Sequence, residues 1–295
     1  DSGSGGRVSC ARGLVSGHVG SVMFGAQRGS LGTRGRPAEP QLALVTGGHG
    51  DHALPLEWPT DVDDFTFCTT TFSTTDGEMV LRSVQRLDVM DNPAVVDVVS
   101  GVKLWEGSVD LARHLAGMLP GQAGLGGRVL ELGAGHGLPG LMAIMRHGAH
   151  VDFHDLSKDV LEQVTAVNIV ANGAASSPRL IHGLWQELFR SEGVETYDVV
   201  MAAEAIYNVD AYKDLSDLLG RCLGDGGVAW FAGKRFYFGC GGGTISFAAH
   251  LRERGFSVHV ARTFEDGLSN VREILQISAD DAAHRPDSVV KRRRL

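Results

Sequence analysis

The stretch Arg128-Val-Leu-Glu-Leu-Gly-Ala-Gly-His-Gly137 decides the fold, because it reads as a buried strand running into a glycine turn that opens a helix. Glycines at 133, 135 and 137 let the backbone turn tightly and approach a ligand that a Cβ would hold away. A helix starting near Leu138 aims its unpaired N–H groups at the same place. The spacing is not that of a dinucleotide fingerprint, which needs two glycines, a gap of two and then a third. Alternating glycines behind an acid, Glu131, fit S-adenosylmethionine better. Glu131 can accept from an ammonium group, and no pyrophosphate has to be housed.

Downstream, His150-Val-Asp-Phe-His-Asp155 is a second strand that ends in an acid about 20 residues past the turn, where a ribose-binding carboxylate is expected. The competing reading makes Asp155 or Ser157 the N-cap of a helix over residues 158–171. From Arg128 onward strand-like and helical runs alternate. Strands are expected at 128–133, 150–155, 179–183, 197–205, 227–234, 256–264 and 271–279, which gives an open, mostly parallel, Rossmann-like α/β sheet covered on both faces. The loop around Asp266 and Gly267 is too short for a parallel crossover, so the seventh strand is expected to be antiparallel.

Upstream, Phe65-Thr-Phe-Cys-Thr-Thr-Thr-Phe72 and residues 79–89 read as strands, and residues 104–119 place apolar side chains at helical spacing. These form an N-terminal strand and helix extension, residues 61–120, ahead of a domain over 121–280. Residues 1–45 are rich in Gly, Ser and Arg and show no lasting period, as in a disordered arm or an organelle transit segment. Lys291-Arg-Arg-Arg294 sits in a basic tail, residues 281–295, readable as a nuclear address or a solvated end.

Composition narrows the function classes. With 295 residues and 43% hydrophobic content the chain can bury one substantial core. A formal net charge of −8 provides no global field for nucleic acid or membranes, so a protein or small-molecule substrate is the default. Cysteines at 10, 68, 222 and 240 form no metal or redox pair and suggest a reduced, intracellular chain. His49 and His52 lie close together without a further ligand set and read as a solvated loop. No apolar run approaches the roughly 18 residues of a membrane span.

Leu104-Trp-Glu-Gly107, Glu131-Leu-Gly-Ala-Gly-His-Gly-Leu-Pro-Gly140, Ala203-Glu-Ala-Ile-Tyr-Asn208, Lys234-Arg-Phe-Tyr-Phe-Gly-Cys-Gly-Gly-Gly243 and Asp266-Gly-Leu-Ser-Asn-Val-Arg-Glu-Ile274 together resemble the protein-histidine N-methyltransferases of the methyltransferase-like protein 18 family. The resemblance spans roughly residues 101–279, with Ala203 standing where some members carry serine. It implies a seven-strand class I methyltransferase sheet and S-adenosylmethionine-dependent methylation of a histidine ring nitrogen in a large-subunit ribosomal protein. It also implies a cofactor site of Trp105, Glu106, Gly107, Glu131, Gly133, Gly135, Gly137, Asp155, Leu156, Gly183, Trp185 and Ala203. Glu204, Tyr207 and Asn208 are the expected catalytic group. The expected chain is a monomer of the cytoplasm or nucleus with no metal and no direct nucleic-acid contact.

The chemistry agrees with that group. Methyl transfer from a sulfonium is an in-line displacement, so the site mainly positions two reactants and excludes water. A histidine acceptor, with a reference pKa of about 6.5, is mostly neutral at pH 7, whereas a lysine near 10.4 needs about 3.4 units, or about 4.6 kcal/mol, of help. A histidine site therefore needs a group that fixes the tautomer more than a strong base. Glu204, Tyr207 and Asn208 follow the fourth core strand and can orient the ring N–H; their bland alternatives are a surface carboxylate, a packed aromatic and a helix cap. Trp105 and Trp185 are either cofactor contacts or core filling. The run 237–243 has the glycine content of a mobile loop beside a substrate. Lysine methylation on the same fold, a non-catalytic cofactor-binding module and an NAD-dependent oxidoreductase are the alternatives, the last disfavoured by the glycine spacing.

Overall fold

The computed structural model describes residues 25–27, 59, 62, 65–85, 100–174, 178–190, 195–267 and 270–279. Seven strands form the main sheet: β4 (Arg128–Leu132), β5 (His150–Asp155), β6 (Arg179–His182), β7 (Tyr197–Ala203), β8 (Leu223–Lys234), β9 (Phe256–Phe264) and β10 (Arg272–Ala279). Their order is β6-β5-β4-β7-β8-β10-β9. β10 runs antiparallel to both β8 and β9, and the β4, β5, β6, β7 and β8 pairings are parallel. The expected architecture is therefore the observed one.

Strand composition explains why both faces are covered. Val129, Val199, Met201 and Trp230 point into one apolar cluster, while their neighbours Leu130, Val200, Ala202 and Phe231 point into the other. Helices α1 (Glu106–Ala116) and α2 (Leu138–His147) pack on the first face with α3, which runs through Lys158–Val160, a π turn Leu161–Thr165 and Ala166–Ala171. The second face is covered by α4 (Trp185–Arg190), α5 (Tyr212–Cys222) and α6 (Thr244–Glu253). α1 is shorter than its apolar spacing suggested, because Trp105 is its extended N-cap residue. Its buried Asp110 accepts from Arg272 Nε at 2.6 Å and from Arg113 at 3.0 Å, tying the helix to β10. Ser157 caps α3 by accepting from Val160 N–H, so the cap expected near Asp155 falls on the serine.

The extension shares this core. β2 (Phe67–Thr74) and β3 (Gly77–Val84) form a hairpin whose Phe72 and Leu81 pack in the same cluster as Leu111 and Leu141. One part of the arm differs from expectation: Gly25–Gln27 is a strand, β1, paired antiparallel with residues 67–69 of β2. An open strand edge recruits backbone, and no side-chain pattern is needed for that. The rest of residues 1–45, the two loop histidines, and the basic tail lie outside the described residues. On the other edge of the hairpin α3 takes the place of a strand. Asn168 Oδ1 accepts from Val84 N–H at 2.6 Å, and Asn172 both accepts from Arg82 N–H and donates to Arg82 O, each at 2.8 Å. Among the described residues no helix is long and apolar enough to cross a membrane.

Asn168 is fully buried and also donates to His136 O at 2.9 Å. Asn168→Ala should lower unfolding stability by about 2 kcal/mol, because the Val84 N–H loses its partner away from water. Denaturant unfolding measures this; a change below about 0.5 kcal/mol would show that the edge is not sealed there.

Candidate active site

Strand order reverses at β4, which has β5 on one side and β7 on the other, and ligands of such sheets lie beyond the carboxyl ends of the strands at that point. A cavity of about 780 Å³ opens there. Its wall includes Gly133 and Gly135 after β4, Asp155 and Leu156 at the end of β5, Gly183 and Trp185 after β6, and Ala203, Glu204, Tyr207 and Asn208 after β7. Trp105 closes it from the start of α1. Glu106, Gly107, Glu131 and Gly137 are not on the wall.

The glycine turn is built as its sequence demands. Gly133, Gly135 and Gly137 have φ of 62°, 51° and 66°, the left-handed region that side chains avoid. Thr165, aimed by the π turn, donates to Gly135 O at 2.6 Å. Asp155 accepts from Gly135 N–H and Ser157 N–H, both at 3.0 Å, so one carboxylate fixes the turn while facing the cavity. Burial pushes its carboxyl above the usual range, against those two N–H groups.

Glu131 differs from its expected role as an ammonium acceptor. It is 2% exposed and turned under α2, where it accepts from Gly140 N–H at 2.8 Å. The Gly140 N–H in the first turn of that helix is a closer partner than a ligand across the turn. Burial pushes this carboxyl up to about 8. Glu106 is exposed beside the rim, and Gly107 acts through its backbone, as described next.

Glu204 is one of two described non-glycine residues with positive φ, at 57°. Such backbone persists where surrounding bonds hold it, and here they do. Its N–H donates to Ala232 O at 2.8 Å, Gly107 N–H donates to its Oε1 at 3.0 Å, and the Tyr237 hydroxyl donates to its Oε2. A Cβ on Gly107 would stand 2.6 Å from Oε1, so glycine is needed for this approach. Burial raises the Glu204 carboxyl, and the Tyr237 hydrogen bond, the Lys234 charge and the Gly107 N–H oppose it. Tyr207 is half exposed and meets Tyr237 edge to face at 6.3 Å. Asn208 uses its side-chain oxygen as a cap, accepting from Asp210 N–H at 3.0 Å, which gives it the structural role considered above.

Several wall residues were not expected. Lys103 and Lys234 bring their Nζ atoms to 4.4 and 5.8 Å from the centre of the Trp105 ring, a cation–π arrangement at the cavity mouth. His154 bonds Gly183 O at 2.9 Å through Nε2 while Nδ1 has no partner among the described residues, and burial pushes its imidazole down to about 4. His136 joins the turn to Val102 O at 2.8 Å. The only sequence signal for Tyr237 was its place in the glycine-rich run. That run is strapped down: Tyr237 N–H donates to Gly242 O at 2.9 Å, Gly242 N–H to Tyr207 O at 3.0 Å, and Gly243 N–H to the Tyr212 hydroxyl at 2.8 Å. Its glycines permit close backbone approach: a Cβ at Gly242 or Gly243 would collide with the backbone of residues 206–207 or 235–236.

An open sheet with one antiparallel strand, a glycine turn at the switch point and an acid closing β5 is the arrangement of a class I methyltransferase. Residues 91–236 match a family model described as lysine methyltransferase. The chain is 35% identical over 181 residues to the "Histidine protein methyltransferase 1 homolog" of Dictyostelium discoideum, covering 60% of this chain and 57% of that protein. It is 31% identical over 207 residues to the protein of that name from Bos taurus, covering 58% and 55%. A solved glycopeptide N-methyltransferase, MtfA, complexed with S-adenosyl-L-methionine, aligns at 15% identity and a TM-score of 0.43, covering 64% of this chain and 98% of that one. The chain spans a little over half the length of these two curated relatives.

The raised Glu131 carboxyl makes a stability prediction. An unfolded glutamate titrates near 4.3, so between there and about 8 the folded chain binds more protons, and stability is lost as pH rises through that window. Glu131→Gln should flatten the loss and be the more stable form near pH 8, as denaturant unfolding at about pH 5 and about pH 8 would show. Parallel pH dependences in the two proteins would contradict the assignment.

Proposed function

We propose that this chain is an S-adenosylmethionine-dependent protein methyltransferase that modifies a histidine ring nitrogen, acting as a monomer on a large-subunit ribosomal protein in the cytoplasm or nucleus. The observation that carries the proposal is Glu204, a half-buried carboxylate on a left-handed backbone at the cavity wall, with an N–H or O–H donor already on each oxygen. The wall fits the cofactor. At Gly133 the space where a Cβ would stand is open, and Asp155 keeps lone pairs for a ribose beyond its two backbone bonds. Trp105 and Trp185 supply flat apolar faces, and Leu156, Gly183 and Ala203 complete the cradle. S-adenosylmethionine supplies a methyl group on a sulfonium, ready for in-line transfer to a nitrogen lone pair.

Glu204 accepts from the ring N–H opposite the attacking nitrogen and so selects the tautomer whose lone pair faces the methyl donor. The same carboxylate stabilises the positive charge that develops on the ring during transfer. Tyr207, half exposed at the rim, packs beside the acceptor, and Trp105 with Lys103 and Lys234 narrows the mouth against water. Support for histidine comes from the names of the relatives and from this acceptor chemistry. Lysine is the second reading, favoured by the description of the family model.

Two substitutions separate the roles. Glu204→Gln should lower kcat by about 10²-fold with cofactor affinity unchanged. Asp155→Ala should weaken cofactor binding about tenfold, read by calorimetry, through loss of one charge-assisted contact and the loosened turn. Wild-type binding and turnover in both variants would overturn the site assignment.

A further inference from the structure

We infer that Tyr237 is a positioning residue whose hydroxyl holds the Glu204 carboxylate in its charged, ring-accepting state. The inference depends on the proposed methyl transfer for its consequence, though not for its test. Geometry fixes the direction of the bonds. The phenol oxygen accepts from Lys234 N–H at 3.1 Å, and an amide can only donate, so the phenol proton is directed to Glu204 Oε2. Amide, phenol and carboxylate then form one polarised chain in a low-dielectric pocket.

Three features show that the fold is arranged around this contact. First, Phe236 and Phe238 are 53% and 82% exposed while the tyrosine between them is turned inward. Apolar burial alone would favour the opposite orientation. Second, both backbone groups of Tyr237 are tied inside the loop, its N–H to Gly242 O and its carbonyl to Cys240 N–H and Gly241 N–H. Third, a Cβ at Gly233 would stand 2.9 Å from the phenol oxygen, so the end of β8 is kept clear for it. The charged groups around Glu204 are Lys234, which favours its ionised form, and Glu106, which opposes it; Lys103 lies over the neighbouring Trp105 ring. Burial works against the ionised form, and Tyr237 is the largest influence opposing burial.

The test uses the purified full chain with carboxyl-¹³C glutamate. Its Glu204 resonance, assigned by its loss in Glu204→Gln, is titrated by NMR. Tyr237→Phe should raise the midpoint by about one pH unit, the size expected for one charge-assisted hydrogen bond. Because the phenylalanine variant could unfold, the second arm places 3,5-difluorotyrosine at position 237. A more acidic phenol donates more strongly and should lower the midpoint. An unchanged midpoint in the folded phenylalanine variant, or in the fluorinated chain, overturns the inference. A moved midpoint in a chain that methylates no histidine would sink the proposed activity and leave the tyrosine clamp standing.

Discussion

The structure depends on one topological constraint: a parallel sheet whose strand order reverses must leave a gap above its carboxyl ends. The connections on the two sides of β4 pass to opposite faces, α1 to α3 on one and α4 to α6 on the other. Nothing built from those connections can close over the point where they part. Much of the cavity wall is a consequence. The turn after β4, the acid ending β5, the glycine after β6 and the left-handed glutamate after β7 all stand at the carboxyl ends of the strands.

Burial raises three of the carboxyl groups in or beneath this gap, Glu131, Asp155 and Glu204. Their different partners divide the work. Glu131 meets a helix start and no part of the wall, so it acts as an anchor under the glycine turn. Asp155 accepts from two backbone N–H groups and still faces the cavity, which couples the shape of the turn to whatever binds there. Glu204 receives one donor from α1 and one from the loop after β8, and so joins two elements far apart in sequence across the cavity mouth.

Much of this was legible in the sequence. Parallel strands buried on both faces read as apolar runs, which is why residues 199–203 of β7 stood out, and the short link around Asp266 and Gly267 was enough to turn β10 antiparallel. The glycine turn and Asp155 were legible because backbone conformation and strand ends leave marks at fixed spacing. What escaped was set by tertiary approach. β1 pairs through backbone alone, and Glu131 chooses a helix N-terminus that sequence spacing does not rank above a ligand. Tyr237 looked like one aromatic among three until the fold turned it inward.

The measurement that tests the central claim most directly is methyl transfer itself. Purified chain is incubated with methyl-labelled S-adenosylmethionine and large-subunit ribosomal proteins, and the modified residue is located by mass spectrometry. The account predicts label on a histidine ring nitrogen. Label on a lysine, or cofactor binding without transfer to any protein, would contradict it.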